Sequence, residues 1–533
     1  MRRLLFLCLA PGTLMAQHHD LPGNSTETPV ALYQGMGNWR HPIHTANTEA
    51  QKFFDQGLNL LYGFNRYEAM RSFRKATELD PNAAMAYWGI AMAWGPYINV
   101  DGDPSYDQKE SCAAAAKGLA VPGVPPAERA YLEAVSKRCP EYQPQVYIDA
   151  MKALAERFPD DPEAQTFYAD ALMIPPRWHW YTAAGTPAPG VAEAEHVLEG
   201  VIRRWPQHPG ANHLYIHAVE SSPSPERAIA SAQRLMTLIP AAGHIVHMPG
   251  HIWLVLGEWE IAASLNEQAV AVDQKYFADT KVSGSYTMYY IHNRHFVTYA
   301  RWMQGKKADG LRAADQMASA VAPMADAMPE LTDAFTAVAA FGRVRFNDWD
   351  AVLKAPQPNA KMPASTLIWH YSRALALAAR GDRAGAQKEQ AAFEEMRKGV
   401  PAEAPWGNNK AVQVLAIASE VIAARLAAGA DEAISHWRRA VEMQDALVYD
   451  EPPAWYYPLR ESLGAALVRA GRAAEGEAIL REGVKRSPRN GRMLFGLMES
   501  LRAQGKTDDA EWVGKEFEAA WSRADIKLRL EDL

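Results

Sequence analysis

The sequence predicts an all-α protein in which helical hairpins stack side by side into an α-solenoid. A unit of 34 residues recurs along the chain, and small residues and prolines return at the same places within it. Runs with the alternating apolar pattern of strands are essentially absent. Because each hairpin can bury its apolar face only against its neighbours, such units are expected to form one continuous stack.

The clearest unit begins at Ala50 and reads AQKFFDQGLNLLYGFNRYEAMRSFRKATELDPNA. Small or aromatic residues occupy places 8, 20, 24 and 27, where two antiparallel helices cross, and a proline at place 32 ends the second helix. These residues are Gly57, Ala69, Phe73, Ala76 and Pro81. Further units in register begin at Pro209, Gly243, Tyr457 and Gly491. Weaker units begin near Glu128, Pro162, Ile291, Thr332, Leu367 and Val414.

This spacing resembles the tetratricopeptide repeat, and the units extend from about residue 45 to 522. The whole chain is similar to a family of secreted bacterial tetratricopeptide-repeat proteins, on the segments HPIHT, FFDQGLNLLYGFNRYEA, HPGANHLYIHAVE, HIVHMPGHI and YYIHNRHF. The likeness covers nearly the full length and implies an architecture rather than an activity. It also implies a peptide or protein partner in the concave groove of the stack.

The first residues, MRRLLFLCLAPGTLMA, have the arrangement of a cleavable secretory signal, with two arginines, an apolar run and a small residue at Ala16. The predicted organisation is a signal peptide at 1–16, an extension at 17–48, repeats with inserts at 49–206, a histidine-rich central part at 207–324 and C-terminal repeats at 325–533. No later stretch has the eighteen consecutive apolar residues of a membrane span. We therefore expect a periplasmic or secreted protein without a membrane anchor.

Net charge argues against one class of partner. Loss of Arg2 and Arg3 with the signal leaves 53 basic residues against 62 acidic ones, a net charge of −9. Such a charge disfavours binding to nucleic acid or to an anionic membrane surface. Cys8 leaves with the signal as well, so the mature chain keeps Cys112 and Cys139. The sequence leaves open whether these two thiols are close enough to form a disulfide.

Histidines return on one face of three successive units. In tetratricopeptide families, places 2, 5, 9, 12 and 13 of the unit generally line the concave groove. Seven of the sixteen histidines fall at places 2, 5 or 9, and one glutamate falls at place 12. They are His213, His217 and Glu220 in the first of these units, His244, His247 and His251 in the second, and His292 and His295 in the third. Spacings of three and four residues put side chains on one helical face, so these imidazoles are predicted to share a groove.

Clustered imidazoles are hard to explain as packing, because they repel one another when protonated. The pattern predicts a transition-metal site, with copper favoured and zinc or iron as alternatives, since calcium and magnesium prefer oxygen ligands. Seven histidines exceed the needs of one tetrahedral ion, so the alternatives are two ions, or one ion with spare histidines for substrate binding or proton transfer. Glu220 is a candidate ligand, a proton-transfer residue, a partner that orients an imidazole, or a solvated residue, and we favour the orienting role.

The third unit is the least regular of the three. Fourteen extra residues precede its frame, and Arg294 and Arg301 fall at places normally used for packing. A rotated or differently started helix is therefore the alternative for His292 and His295. Outside these units, we interpret the aromatic insert Arg177–Tyr181 either as a cover over the groove or as a link between repeats.

Two function classes follow. The first is a metal-dependent oxidoreductase in which the histidines hold copper. The second is a noncatalytic scaffold that binds a peptide or protein partner or stores metal. The sequence has no GxSxG motif, phosphate-binding glycine loop or dinucleotide fingerprint, so the histidines carry its only clear chemical signal. We interpret His41 and His44, just before the first unit, as capping or surface residues.

Overall fold

The computed structural model describes residues 28–99, 107–282, 284, 286–325, 329–359 and 361–533. The predicted signal peptide at 1–16 lies outside these residues. The helices of the first half are α1 Thr48–Tyr62, α2 Arg66–Leu79, α3 Ala84–Trp94, α4 Gln108–Ala120, α5 Pro126–Ser136, α6 Pro144–Arg157, α7 Pro162–Met173, α8 Val191–Arg204, α9 Pro209–Glu220, α10 Ile229–Leu238, α11 Gly243–His247, α12 Pro249–Val255 and α13 Trp259–Thr280.

The second half continues as a series of helices and one short strand pair. Its elements are α14 Thr287–Met303, α15 Lys307–Val321, α16 Pro329–Arg345, α17 Trp349–Lys354, α18 Pro363–Ala379, α19 Arg383–Arg397, β1 Pro405–Trp406, β2 Asn409–Lys410, α20 Ala411–Leu426, α21 Ala430–Asp445, α22 Arg460–Arg469, α23 Ala473–Arg486, α24 Gly491–Ala503 and α25 Thr507–Trp521. Three short 3-10 segments accompany them, at Pro225–Ala228, Ala322–Met324 and Leu530–Asp532.

Successive helices pack against each other as hairpins, and successive hairpins pack on one another. The predicted fold class is confirmed, since the protein is an all-α solenoid of tetratricopeptide type. Within the described residues, the two strands have two residues each and pair antiparallel with each other. No helix among the described residues combines the length and hydropathy that crossing a membrane requires.

Local sequence sets the first hairpin. The Asn47 side chain accepts hydrogen bonds from the backbone N–H groups of Glu49 and Ala50, at 2.9 and 3.2 Å, which begins α1. A Cβ atom placed on Gly57 would lie 2.7 Å from the ring of the fully buried Phe73 in α2. The two helices can cross this closely only because place 8 is glycine. This contact explains why small residues recur there.

The three histidine-bearing units differ in their helices. In the unit from Gly243, the first helix is interrupted between α11 and α12, because Pro249 lacks a backbone N–H for the helical ladder. The next helix, α13, has 22 residues and takes up much of the extra length before the third unit. The helix of that third unit begins at Thr287, four residues before the frame predicted from Ile291.

Buried apolar side chains form one large core between Met36 and Ile252 and another between Ile291 and Leu467. The histidine-bearing helices α9, α11, α12 and α14 lie where the first of these cores gives way to the second. Cys112 and Cys139 form a disulfide between α4 and the segment after α5, with their Cα atoms 5.6 Å apart.

Candidate metal centre

Six of the seven predicted histidines lie close together. His213 and His217 come from α9, His244 and His247 from α11, His251 from α12, and His292 from α14. The first five are at most 2% exposed, and His292 is partly buried. The rings therefore lie inside the protein. The repeat pattern alone would place them on the surface of an open groove.

The first group consists of His213, His217 and His244. One ring nitrogen of each lies within 4.8 Å of the others. The ring centroid of His213 lies 5.0 Å from that of His217 and 4.9 Å from that of His244. We call this set the first histidine group. It has the donor number of a three-histidine metal site.

The second group consists of His247, His251 and His292, whose ring nitrogens also lie within 4.8 Å of one another. The Nε2 atoms of His247 and His251 are only 2.6 Å apart. Two unprotonated nitrogens at this distance would repel each other, so in this structure one of them carries a hydrogen that it donates to the other. We call this set the second histidine group.

Four of the six rings turn Nδ1 outward to an oxygen atom. The Nδ1–H of His213 donates to the Tyr62 carbonyl oxygen at 2.6 Å, and that of His217 donates to Glu220 Oε1 at 2.8 Å. The Nδ1–H of His247 donates to Asn266 Oδ1 at 2.6 Å. Carbonyl and carboxylate oxygens can only accept, so these contacts place the proton on Nδ1. The Nε2 atoms of His213 and His217 then keep lone pairs that can bind a metal, and that of His247 contacts His251 Nε2.

The ring nitrogens that face the centre of the cluster are also consistent with metal binding. Among the described residues, Nε2 of His213, Nε2 of His217 and both ring nitrogens of His244 are buried without a hydrogen-bond partner. Buried polar atoms are normally paired, because leaving them unpaired costs free energy. Histidine ligands in metalloproteins typically donate the other ring N–H to a carboxylate or carbonyl, as four of these rings do.

The local sequence supports the orientation of His247. A Cβ on Gly250 would lie 2.5 Å from the amide nitrogen of Asn266, so glycine leaves room for this side chain. The Asn266 amide donates to the Ala262 carbonyl at 2.8 Å, which turns its Oδ1 toward the His247 ring. Gly250 thus leaves room for Asn266, and Asn266 orients the candidate ligand His247.

Burial keeps most of these rings neutral. It lowers the pKa of His217 to about 3 and that of His292 to about 3. Burial, reinforced by neighbouring histidines, also holds the pKa values of His213, His244 and His247 well below the usual range. Neutral imidazole is the form that binds metal.

The pKa of His251 shifts in the opposite direction to those of the other rings. Burial opposes its charge, but the carboxylates of Glu451 and Glu220 outweigh burial and raise its pKa to about 10. Its Nδ1 lies 2.6 Å from Glu451 Oε2 and also contacts Glu220 Oε2. In the metal-free protein, His251 therefore carries the proton that separates its Nε2 from that of His247.

The sequence did not predict Glu451 and Tyr449. Both belong to the irregular segment between α21 and α22, more than 200 positions after α9. The Tyr449 hydroxyl lies 3.3 Å from Glu220 Oε2 and 3.2 Å from Glu451 Oε2, within reach of both carboxylates. Burial and the charge of Glu220 raise the pKa of Glu451. The segment has no helical periodicity, so no repeat frame could place it at the histidines.

Aromatic rings surround the two groups. Phe64 lies 4.4 Å from His213, and Phe296 lies 4.6 Å from His247, measured between ring centroids. Trp178 and Trp180 lie 6.0 and 5.7 Å from His217. The insert Arg177–Tyr181 thus forms part of the wall of the site. The Trp180 indole also donates to the Met173 carbonyl at 3.0 Å, so this side chain contacts both α7 and His217 of α9.

His295 lies outside both groups. Its ring packs 5.9 Å from that of Phe335, and burial lowers its pKa to about 4. It lies three positions after His292, which turns the two side chains about 60° apart around a helix with 3.6 residues per turn. Only His292 reaches the cluster.

His41 has a structural role that the sequence did not predict. It is partly buried, and its Nδ1 lies 3.0 Å from Glu163 Oε2, with Asp161 also nearby. The Trp39 indole donates to the other Glu163 oxygen at 2.7 Å. These bonds attach the segment before α1 to α7. His44, in contrast, is exposed, as expected.

Comparison with known proteins adds little to this description. No protein-family model matches the sequence, and no curated protein matches it. Among solved structures, the chain is similar to the human IFIT1 dimer with m7Gppp-AAAA, at 12% identity and a TM-score of 0.32, covering 91% of this chain and 92% of that one. It is also similar to yeast Tom70, at 10% identity and a TM-score of 0.28, covering 88% and 90%. We therefore base the function on the histidine cluster alone.

Proposed function

We propose that this protein binds two transition-metal ions, one at each histidine group, and that copper is the preferred metal. The observation that carries the proposal is the orientation of the rings. Nδ1 of His213, His217, His247 and His251 faces an oxygen acceptor, which leaves the Nε2 atoms for the ions. Packing alone gives no reason for four buried imidazoles all to turn Nδ1 toward an oxygen acceptor.

The donor set supports copper. Both groups offer imidazole nitrogens without a thiolate, and imidazole suits copper, zinc, iron and nickel. Copper binds nitrogen ligands more tightly than the other divalent metals of this row, so it is our first choice and zinc or iron are the alternatives. Export to an oxidising compartment is part of the proposal, and the Cys112–Cys139 disulfide supports it.

We further propose that the bound metal makes the protein an oxidoreductase. Each ion would have three protein ligands, and catalytic metal sites keep a position open for water or substrate. Copper supplies one-electron redox chemistry when bound. The chain's own residues would hold the ligands, enclose the site in aromatic rings, and accept a proton at the Glu220 carboxylate.

The burial of these histidines does not fit a scaffold that binds a peptide in an open groove. A peptide lying in an open groove would touch exposed side chains, whereas five of these rings are almost fully buried. A protein that only stores metal would use the same ligands without turnover. Activity measurements therefore distinguish storage from catalysis.

Metal content tests the proposal. The protein, produced without a histidine tag, is loaded with copper, freed of excess metal and measured by elemental analysis. We expect two ions per chain in the natural protein and one in each of His217→Ala and His247→Ala, because each variant disrupts one group. His370→Ala is the matched control, since His370 pairs with Glu389 on the distant helices α18 and α19.

The control variant should keep both ions. A natural protein that retains no copper, or His217→Ala and His247→Ala variants that retain as much as the control, would overturn the metal site. Oxygen consumption by the loaded protein with ascorbate or a hydroquinone then tests catalysis. Rates no higher than those of the His217→Ala, His247→Ala double variant would contradict the oxidoreductase assignment and support storage.

A further inference from the structure

We propose that Glu220 is a positioning residue shared by both ion sites, and that Glu451 serves the second site alone. This inference rests on the proposed function, because it assigns roles at the same histidine groups. It would mean that the C-terminal half of the chain contributes a side chain to a site whose histidines all lie on helices α9 to α14.

Glu220 contacts one ring of each group. Its Oε1 accepts a hydrogen bond from His217 Nδ1 at 2.8 Å, and His217 belongs to the first group. Its Oε2 contacts Nδ1 of His251, which belongs to the second group. Glu220 is 2% exposed, so water cannot readily replace either contact. One carboxylate therefore orients an imidazole for each ion.

Glu451 pairs directly with only one of these rings. Its Oε2 lies 2.6 Å from Nδ1 of His251, whereas a ring nitrogen of His217 lies within 4.8 Å of a Glu451 carboxylate oxygen and is not hydrogen-bonded to it. Tyr449 lies within hydrogen-bond distance of both carboxylates and so connects them. The segment Tyr449–Glu451 thus hydrogen-bonds directly to a ring of the second group, and its hydrogen bonds reach a ring of the first group only through Glu220.

The two glutamates should respond differently to replacement by glutamine. In Glu220→Gln, the amide oxygen can accept from one imidazole, but the amide NH₂ then faces the N–H of the other. Two donors cannot share a hydrogen bond, so where both rings are present one of them must turn. Where only one ring is present, the amide oxygen can still accept, but the neutral amide lacks the negative charge that strengthens the hydrogen bond from a metal-bound imidazole. In Glu451→Gln, only the environment of His251 changes.

Single-site backgrounds make this test specific. His247→Ala leaves only the first group intact, and His217→Ala leaves only the second. Copper affinity is measured in each background by competition with a chelator of known affinity, and circular dichroism checks that the helices persist. Loss of a residue that orients a metal-bound histidine typically weakens metal affinity by about 10- to 100-fold.

We expect Glu220→Gln to weaken copper binding by about 10- to 100-fold in both backgrounds, and Glu451→Gln to do so only in the His217→Ala background. Glu420→Gln is the control, because Glu420 Oε2 lies 2.7 Å from His436 Nδ1 in a pair on α20 and α21. This control should leave both affinities unchanged.

Two results would overturn the inference while leaving the metal site in place. One is a Glu220→Gln effect confined to a single background, and the other is a Glu451→Gln effect of equal size in both. If neither background binds copper before any glutamate is changed, the proposed function itself fails. The two failures are therefore distinguishable.

Discussion

Removal of the metal is expected to lower the free energy of unfolding of the protein by several kilocalories per mole. A ligand that binds only the folded state stabilises it by about 4 kcal/mol when present at a thousandfold excess over its Kd. The two ions would bind residues of α9, α11, α12 and α14, so their loss releases several helices at once. The temperature midpoint of unfolding, compared between copper-loaded and chelator-treated protein, measures the effect.

The double variant His217→Ala, His247→Ala is the control for this experiment. It lacks a ligand in each group, so the chelator should leave its unfolding midpoint almost unchanged. Identical unfolding curves for loaded and chelator-treated natural protein would contradict a pair of ions bound in the folded state.

Replacement of Glu461 by alanine is expected to destabilise the protein by about 3–5 kcal/mol, because it leaves Arg345 buried without its partner. The Arg345 side chain is 2% exposed and that of Glu461 is fully buried. Arg345 Nη2 donates to Glu461 Oε1 at 3.0 Å, and Asn490 Nδ2 donates to the same oxygen at 2.9 Å. These bonds join α16 to α22 and to the residue that precedes α24.

Urea denaturation followed by circular dichroism measures this loss. The matched control is Glu511→Ala, which removes an exposed partner of Lys515 within α25, at 3.1 Å. Exposed ion pairs contribute little to stability, so the control should unfold like the natural protein. If Glu461→Ala is no more destabilising than Glu511→Ala, the buried pair does not hold these helices together.

The repeat architecture was predictable because its determinants are local. Gly57 and Phe73 lie within one unit, and their contact follows from the crossing of two adjacent helices. The same frame placed the histidines of α9, α11 and α12 on one face, because spacings of three and four residues fix their relative directions. These parts of the site needed no knowledge of distant contacts.

The rest of the site depends on contacts between distant parts of the chain. The early start of α14 at Thr287 leaves His292 in the cluster and His295 against Phe335. Glu451 arrives on a segment without periodicity, so its position follows only from the packing of the whole stack. A repeat frame also shows which face a histidine occupies but not what covers that face, and here Phe64 and other aromatic rings enclose it.

Anomalous X-ray diffraction at the copper absorption edge, recorded from crystals of the copper-loaded protein, tests the central claim most directly. The account predicts two peaks. One should lie among Nε2 of His213, Nε2 of His217 and a ring nitrogen of His244, and the other among the nitrogens of His247, His251 and His292. A map without a peak at either position, or with copper bound only by other residues, would contradict it.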